Sequence, residues 1–270
     1  MTAATFSLQG KVAVVTGAAG LLGRQHVRAL ASAGALVVGL DRDETALAEL
    51  AGLANGGEVR PYLGDVTDPE SMASLRAVIY QELGRLDILV NNAALDDKVG
   101  APAQNGAEAG LEHYPLDQWR RMLDTNVTGV FLPCQVLGSA MADARSGSII
   151  NIASTYGLVA PDPSLYLRAD GSRPFLKSPA YPTSKGAVIA LTRYLAAYWG
   201  DRGVRVNALA PGGVANGQDP FFIENYSRRT PLGRMAAPNE YQGALLFLAS
   251  DASSYTTGAT LVVDGGFTAW

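Results

Sequence analysis

A short apolar segment, a glycine-rich turn and a helix, in that order, constrain the fold of this chain more than any other feature. Residues 11–16 (KVAVVT) are typical of a strand buried on both faces, and three glycines occur in the turn at 16–23. A helical pattern over residues 22–33 follows, and a second apolar strand at 36–40 ends in Asp41. This order of strand, glycine turn, helix, strand and acid predicts a βαβ unit.

The βαβ unit has the chemistry that binds a dinucleotide. Gly17, Gly20 and Gly23 permit a tight turn and a close approach of the backbone to a pyrophosphate. The helix that begins near Leu22 offers free N–H groups and the positive end of its dipole to the same phosphates. Asp41 follows Gly23 by 18 positions, which is where an acid accepts hydrogen bonds from the adenosine ribose.

Strands and helices continue to alternate along the rest of the chain. Asp68 and Pro69 are typical of the N-cap and first residue of a helix. The composition, with 48% hydrophobic and 17% charged residues, indicates a compact protein. We therefore predict an α/β fold in a single domain over residues 1–270: a Rossmann-type doubly wound sheet of about seven parallel strands with helices on both faces. Further strands are predicted at 58–63, 86–90, 147–153, 204–209 and 260–263, and long helices at 115–141 and 181–200.

Bulk properties argue against several classes of protein. A net charge of −4 without a basic run argues against a nucleic-acid partner. The apolar segments are too short for a membrane span, and no signal peptide is expected. The single cysteine, Cys134, indicates a reducing cytoplasm, and we interpret it as a small buried hydrophobe rather than a nucleophile. The two histidines, His26 and His113, are too far apart in the chain to predict a metal site.

Glycines and polar residues directly follow most of the predicted strands. Because the carboxyl ends of parallel strands meet at one edge of a sheet, these residues should line one crevice. Tyr181 and Lys185 lie one helical turn apart on the same face of a neighbouring helix. The ammonium favours phenolate, which lowers the pKa of Tyr181 towards neutrality and suits it to general acid–base catalysis. The strand-end residues are Gly17, Asp41, Asp65, Asn91, Ser154 and Pro211.

Five motifs, in the same order, resemble those of a classical short-chain dehydrogenase/reductase, and the resemblance covers nearly the whole chain. It implies that Tyr181 donates and accepts the proton, while Ser154 holds the reacting oxygen against it. Lys185 would bind the nicotinamide ribose and lower the pKa of Tyr181. Asn126 would hold a water that relays protons between Lys185 and solvent. The motifs are residues 16–23, Asn91-Asn92-Ala93-Ala94, Asn126, Ser154 and Tyr181-x-x-x-Lys185, followed by Pro211-Gly212.

The resemblance also implies a nicotinamide cofactor, and Asp41 favours NAD because its carboxylate repels the 2′-phosphate of NADP. Arg42 either softens that preference or is a solvated surface residue, and Asp65 either meets the adenine or is a simple loop acid. Asn216 stands where the family usually has a threonine that touches the nicotinamide carboxamide. The cofactor-binding residues implied are Gly17, Gly20, Leu22, Gly23, Asp41, Arg42, Asp65, Val66, Asn92, Ala93, Tyr181, Lys185, Pro211, Gly212, Val214 and Asn216.

Two long loops, near residues 95–114 and 158–180, leave strand ends and are typical of binding loops. Their charged residues suit a polyhydroxylated substrate, neutral or anionic, rather than a fatty or steroid ligand. We expect a cationic residue of the second loop to bind a substrate carboxylate. For each of these residues the alternative is a side chain whose charge is simply solvated. The predicted substrate-binding residues are Ser154, Tyr181, Arg168, Arg173, Lys177 and His113.

The resulting hypothesis is an NAD-dependent dehydrogenase that interconverts a secondary alcohol or hemiacetal and a carbonyl on a sugar or sugar acid. Gluconate, rhamnose, 2-keto-3-deoxy sugar acids and sulfosugars are the substrate types considered. The alternatives are a 3-oxoacyl-type ketone reductase and a non-catalytic dinucleotide-binding protein. The resemblance further implies a homotetramer built on the two long helices. Trp270 is then expected either to reach a neighbouring active site or to form a frayed or interface-packed end.

Overall fold

Seven parallel strands form one sheet at the centre of the protein. The structure, a computed structural model, describes residues 3–54, 57–97, 111–173 and 175–270. Within these ranges the strand order is β3-β2-β1-β4-β5-β6-β7. The predicted α/β doubly wound sheet is therefore confirmed. The strands are β1 (Val12–Thr16), β2 (Leu36–Asp41), β3 (Glu58–Leu63), β4 (Ile88–Asn91), β5 (Gly147–Ile152), β6 (Val204–Pro211) and β7 (Thr260–Val263).

The central strands are apolar because helices cover both of their faces. Every residue of β1 and β4 is buried, whereas the edge strands β3 and β7 are only partly covered. Val14 of β1 lies between Val38 of β2 and Leu89 of β4, which fixes the register of the three strands. The chain reverses its direction of travel across the sheet between β1 and β4. In a sheet of this kind the ligand crevice opens at that reversal, at the carboxyl ends of the strands.

Helices on both sides of the sheet begin and end where local chemistry favours it. The Asp68 side chain accepts hydrogen bonds from the backbone of Glu70 and Ser71, and Pro69 is the first helical residue, as predicted. Gly34, with a φ of +99°, follows the C-cap of the first helix. The helices are α1 (Leu21–Ser32), α2 (Glu44–Ala48), α3 (Pro69–Glu82), α4 (Leu116–Leu123), α5 (Gly129–Pro133), α6 (Ser139–Asp143), α7 (Ala180–Trp199), α8 (Pro220–Arg229) and α9 (Gln242–Ala249).

The single helix predicted over residues 115–141 is divided in the structure. Two π-helical turns, Asp124–Thr128 and Cys134–Gly138, separate α4, α5 and α6. Pro133 directly precedes the second π turn and has no N–H to donate to the regular ladder. The first π turn contains Asn126, so the irregularity occurs at a predicted functional residue.

Three apolar clusters hold the elements together. Two lie on opposite faces of the sheet, and Cys134 belongs to one of them. Burial raises the pKa of the Cys134 thiol to about 12, which agrees with its interpretation as a buried hydrophobe. The third cluster is aromatic and joins the 158–180 segment to α8, with Tyr166 and Phe222 stacked at 5.5 Å between ring centroids. None of the described helices is long and apolar enough to cross a membrane.

Candidate active site

The glycine turn after β1 has a geometry that only glycine allows. Gly17 has a φ of +61°, and a Cβ there would lie 2.7 Å from the Cα of Ala93. A Cβ on Gly23 would lie 2.0 Å from the Gly17 carbonyl oxygen. Gly20 is the N-cap of α1, and among residues 3–54 no side chain caps that helix. The turn and the free N–H groups of α1 therefore fit the pyrophosphate of a dinucleotide.

Asp41 fastens the end of β2 to the glycine turn. One carboxylate oxygen accepts a hydrogen bond from the backbone N–H of Ala19 at 3.0 Å. The other accepts from the N–H of Arg42 at 2.8 Å and of Asp43 at 3.2 Å. These bonds hold the acid at the cleft edge, where both Asp41 and Arg42 contribute to the lining. This position suits hydrogen bonding to a ribose.

Asn92 and Asp65 stabilise the turns on either side of that acid. The Asn92 amide donates to the carbonyl oxygens of Thr16 at 3.0 Å and Gly17 at 2.9 Å, which ties the end of β4 to the glycine turn. Asp65 accepts hydrogen bonds from the backbone and hydroxyl of Thr67. Burial alone would raise the pKa of Asp65, but the Thr67 hydrogen bonds and the charge of Arg42 lower it overall.

Ser154, Tyr181 and Lys185 converge at the carboxyl end of β5. Tyr181 is in the first turn of α7, and the Ser154 hydroxyl lies close enough to its phenol to act to lower the pKa of that phenol. The Lys185 ammonium is buried, donates to the carbonyl oxygen of Ile152 at 2.8 Å and lies 5.8 Å from the centroid of the Tyr181 ring. The hydroxyl, phenol and ammonium thus form one polar centre inside the cleft.

The pKa of Tyr181 differs from the prediction. Burial raises it well above 10, the Asp96 carboxylate raises it further, and the Ser154 hydroxyl only partly opposes them. Burial also lowers the pKa of Lys185 to about 8, against an opposing effect of Asp96. We expected the Lys185 ammonium to bring the pKa of Tyr181 towards neutrality. For the protein chain by itself this expectation is wrong, because desolvation of the phenol raises its pKa more than the ammonium lowers it.

Asn126 joins three parts of the site from its π turn. Its side-chain oxygen accepts from the Leu95 N–H at 2.7 Å, and its amide donates to the Leu95 carbonyl and the Ser184 hydroxyl, each at 3.0 Å. Ser184 immediately precedes Lys185 on α7. Asn126 therefore couples the segment after β4 to the helix that carries Tyr181 and Lys185, and its expected water relay stays a prediction.

Most of the predicted site residues surround one cleft of about 740 Å³. Gly23 and Asn126 are buried and are not part of its lining. The predicted residues that line the cleft are Gly17, Gly20, Leu22, Asp41, Arg42, Asp65, Val66, Asn92, Ala93, Ser154, Lys177, Tyr181, Lys185, Pro211, Gly212, Val214 and Asn216.

Three of the predicted substrate contacts lie outside that lining. Arg168 is paired with Asp219 at 3.7 Å and stacks on Phe221 at 5.0 Å. Arg173 and His113 are exposed. The charged residues of a loop point to solvent unless they are paired, so sequence position alone did not show which of these residues line the cleft. Of the predicted loop 95–114, residues 98–110 lie outside the described residues.

An aromatic wall on the substrate side was missed by sequence reasoning. Four aromatic residues, Tyr156, Tyr166, Phe222 and Tyr226, line the cleft together with Met235. The available signal was the run of aromatic residues within and beyond the 158–180 segment, which the charges of that segment obscured. The wall gives the cleft an apolar surface beside its polar centre.

A second cleft, of about 560 Å³, lies at the opposite edge of the sheet. Its buried ionic groups have structural partners: Asp87 accepts from the Val12 N–H at 2.9 Å, and Arg205 donates to the Leu248 and Ser250 carbonyls. Among the described residues, no group of three or more His, Cys, Asp or Glu side chains is arranged to hold a metal ion.

Comparison with known proteins agrees with this fold. A family model described as "Enoyl-(Acyl carrier protein) reductase" matches residues 17–268. Galactitol 2-dehydrogenase (L-tagatose-forming) of Cereibacter sphaeroides is 38% identical over 271 residues, with 98% of each chain covered. D-threitol dehydrogenase of Mycolicibacterium smegmatis is 37% identical over 97% of this chain and 95% of that protein. The structure of a gluconate 5-dehydrogenase from Burkholderia cenocepacia, in complex with NADP and tartrate, superposes with a TM-score of 0.85, 32% identity and 99% coverage of both chains.

The doubly wound sheet, the glycine turn and the Ser–Tyr–Lys centre define a dinucleotide-dependent oxidoreductase fold. This chain belongs to the short-chain dehydrogenase/reductase family, as its motifs predicted.

Proposed function

We propose that this protein is a dehydrogenase that interconverts a secondary alcohol or hemiacetal and a carbonyl on a sugar, sugar alcohol or sugar acid, with NAD as its preferred cofactor. The observation that carries the proposal is the convergence of Ser154, Tyr181 and the buried Lys185 inside one cleft. The names of the relatives, which include galactitol, threitol and gluconate dehydrogenases, support a sugar-type substrate.

NAD would supply the hydride acceptor when bound, and its oxidised form would supply a positive charge that favours phenolate. Ser154 would hold the substrate oxygen by a hydrogen bond while Tyr181 exchanges a proton with that oxygen. A raised pKa keeps the Tyr181 phenol protonated in the chain alone, which suits proton donation during carbonyl reduction. Oxidation requires phenolate, and the Lys185 ammonium and the cofactor charge would act together to stabilise it.

Asp41 supports the preference for NAD. Its carboxylate is fixed by backbone hydrogen bonds at the cleft edge, where it would accept hydrogen bonds from ribose hydroxyls and repel a 2′-phosphate. Arg42 lines the same part of the cleft and would reduce that repulsion. We therefore propose a preference for NAD that is not exclusive, and we expect measurable activity with either cofactor.

A second candidate function has its own observation. The aromatic wall formed by Tyr166 and Phe222 suits a larger, less polar ketone, as in the 3-oxoacyl-type reductase alternative. A non-catalytic dinucleotide-binding role is disfavoured because Ser154, Tyr181 and Lys185 are assembled as a reacting centre. Dinucleotide binding alone would not require that arrangement.

A substrate panel separates these functions. Sugar alcohols, free sugars, aldonates, keto-deoxy acids and sulfosugars are each incubated with the protein and NAD⁺, and NADH formation is followed. In parallel, 3-oxoacyl thioesters and apolar ketones are incubated with NADH, and its loss is followed. Formation of NADH with sugar-type substrates supports the proposal. Turnover restricted to the acyl or apolar ketones would overturn it.

The proposed partner is a further copy of the chain, in a homotetramer built on the long helices. Tyr194 and Tyr198 of α7 stack at 5.8 Å between centroids while remaining 63% and 58% exposed, which supports a contact on that face. Trp270 is 72% exposed and donates to the Arg229 carbonyl at 3.2 Å. Its reach to a neighbouring active site stays a proposal, as does the reducing cytoplasm that Cys134 suggests. Light scattering would report the mass of the assembly.

A further inference from the structure

An ion pair joins the two substrate loops directly above the catalytic tyrosine. The Lys177 ammonium, from the segment before α7, bonds to the carboxylate of Asp96, from the segment after β4. It also donates to the Asp97 carbonyl oxygen at 3.0 Å. Next to it, the backbone and hydroxyl of Ser178 both donate to the Asp97 carboxylate. These contacts fix both loops at the cleft, because Asp96, Asp97 and Lys177 are part of its lining.

The Lys177 ammonium contacts three groups of the protein. An ammonium has three donors, and Lys177 has three neighbours for them: the Asp96 carboxylate, the Asp97 carbonyl and the face of the Tyr181 ring, 4.3 Å from its centroid. Its side chain is only 7% exposed. If Lys177 bound a substrate carboxylate, one of these buried partners would lose its contact with the ammonium and would have no water in its place, which is unfavourable.

Asp96 has the opposite character. Its side chain is 52% exposed, and a carboxylate has about four lone-pair sites, more than its contact with Lys177 occupies. It lines the cleft next to the polar centre. The acid, not the lysine, is therefore the member of the pair that is open to a substrate. A carboxylate accepts hydrogen bonds from hydroxyl groups and repels another carboxylate.

The charge around this position is balanced. Asp96 and Asp97 face Lys177 and Lys185 at the substrate end of the cleft. The nearby arginines are matched as well, because Arg229 pairs with Asp162 at 2.8 Å and Arg168 is held by its own acid. An anionic substrate would find no excess of positive charge among these groups, whereas a polyol can hydrogen-bond without one.

We propose that Asp96, held in place by Lys177, is the specificity-determining residue of the site and selects a neutral polyol, or the corresponding ketose, over an aldonate. Its carboxylate accepts hydrogen bonds from substrate hydroxyls next to the carbon that reacts. This inference rests on the proposed function and narrows its substrate class. It also reverses the expected role of Lys177, which orients the acid instead of binding a substrate carboxylate.

Matched substrate pairs test the selectivity: threitol with threonate, xylitol with xylonate, and galactitol with galactonate, each with NAD⁺. We expect the wild-type kcat/KM to be higher for the polyol. In Asp96→Asn we expect the polyol-to-aldonate ratio of kcat/KM to fall about tenfold or more, since a hydrogen bond to a charged group is lost and repulsion of the aldonate disappears. In the double variant Asp96→Asn/Lys177→Met, the kcat/KM for the aldonate should rise less than in Asp96→Asn. The lysine that Asp96→Asn leaves unpaired is absent from the double variant.

Asp143→Asn is the matched control. It removes an acid that is paired with Arg202 at 2.8 Å, before β5 and remote from the cleft, so the ratio should not change. NADH binding and the thermal midpoint, measured for every variant, report whether the fold and the cofactor site are intact. A wild-type preference for aldonates, or an unchanged ratio in Asp96→Asn, would overturn the selectivity alone. Absence of turnover with every sugar-type substrate would overturn the proposed function and this inference with it.

Discussion

The ammonium of Lys185 donates a hydrogen bond to the carbonyl oxygen of Ile152, 2.8 Å away, at the last residue of β5. This bond anchors the second turn of α7 to the strand whose end carries Ser154. The serine and the tyrosine, which are separated by the 158–180 segment, are brought together in this way. Burial of the ammonium is the cost of the arrangement, because it lowers the pKa of Lys185 to about 8.

Lys185→Met should remove activity without lowering stability at neutral pH. The folded pKa of Lys185 lies below its usual 10.5, so burial of the charged lysine destabilises the protein most below pH 8, and that penalty disappears as the pH rises towards 10.5. A shift of this size corresponds to about 3 kcal/mol, which offsets the loss of the bond to Ile152. Urea unfolding of the wild type and the variant at several pH values gives their free energies of unfolding, which report both the burial penalty of Lys185 and the loss of its bond to Ile152. A variant much less stable than wild type at pH 7 would contradict this account.

Asp41→Asn should weaken the preference for NAD. The substitution removes the charge that repels a 2′-phosphate while it keeps an acceptor for backbone hydrogen bonds, so the NAD⁺-to-NADP⁺ ratio of kcat/KM should fall about tenfold or more. The neighbouring acid Asp43 caps α2 through Ala46, and Asp43→Asn serves as the control for local charge. An unchanged ratio in Asp41→Asn, or a wild-type preference for NADP⁺, would show that Asp41 does not select the cofactor.

Gly17→Ala should weaken dinucleotide binding. The new methyl group would be strained by the positive φ and would also collide with Ala93. Gly84 has a φ of +72° and no atom within 4 Å of an added Cβ, so Gly84→Ala contains the backbone strain without the collision. NADH titration should show at least a tenfold loss of affinity for Gly17→Ala and an unchanged affinity for Gly84→Ala. Equal affinities would mean that the close approach to Ala93 is not required.

His26 should make the protein sensitive to acid. The side chain is fully buried in α1, and this burial lowers its pKa from 6.5 to about 4. The unfolded chain therefore binds the proton first as the pH falls below 6.5, and about 3 kcal/mol of stability is lost by pH 4. His26→Leu should lose this part of the pH dependence of unfolding. The same slope between pH 6.5 and 4 in both proteins would exclude His26 as its source.

The architecture could be predicted from the sequence because its signals are local and repeated. Buried parallel strands are short apolar runs, and the turns that follow them carry glycines and acids, so the strand positions and the sheet edge that holds Asp41 and Ser154 follow from residue type alone. The Asp68 cap and the Gly34 terminus were predictable for the same reason. Each depends on contacts within a few residues.

The substrate side could not be predicted in the same way. Lys177 and Asp96 are 81 positions apart and meet only because two irregular loops cross the cleft, and loops have no periodicity that shows which side chains face inward. The pKa of Tyr181 likewise depends on burial in the assembled cleft rather than on the spacing to Lys185. The π turn at Asn126 consists of residues with low helix propensity (DTNVT), but low propensity does not specify a π turn, so the pattern of residues 115–141 did not predict it.

Turnover of sugar alcohols with NAD⁺ by the wild type and by Tyr181→Phe is the most direct test of the account. The substitution keeps the ring beneath Lys177 and removes only the phenolic oxygen, which lies in the cleft with Ser154. We predict that the wild type forms NADH, and that kcat falls at least about 100-fold in the variant while NADH binding is retained. A variant that keeps kcat within a few-fold of the wild type would contradict the assignment of Tyr181 as the proton-transferring group.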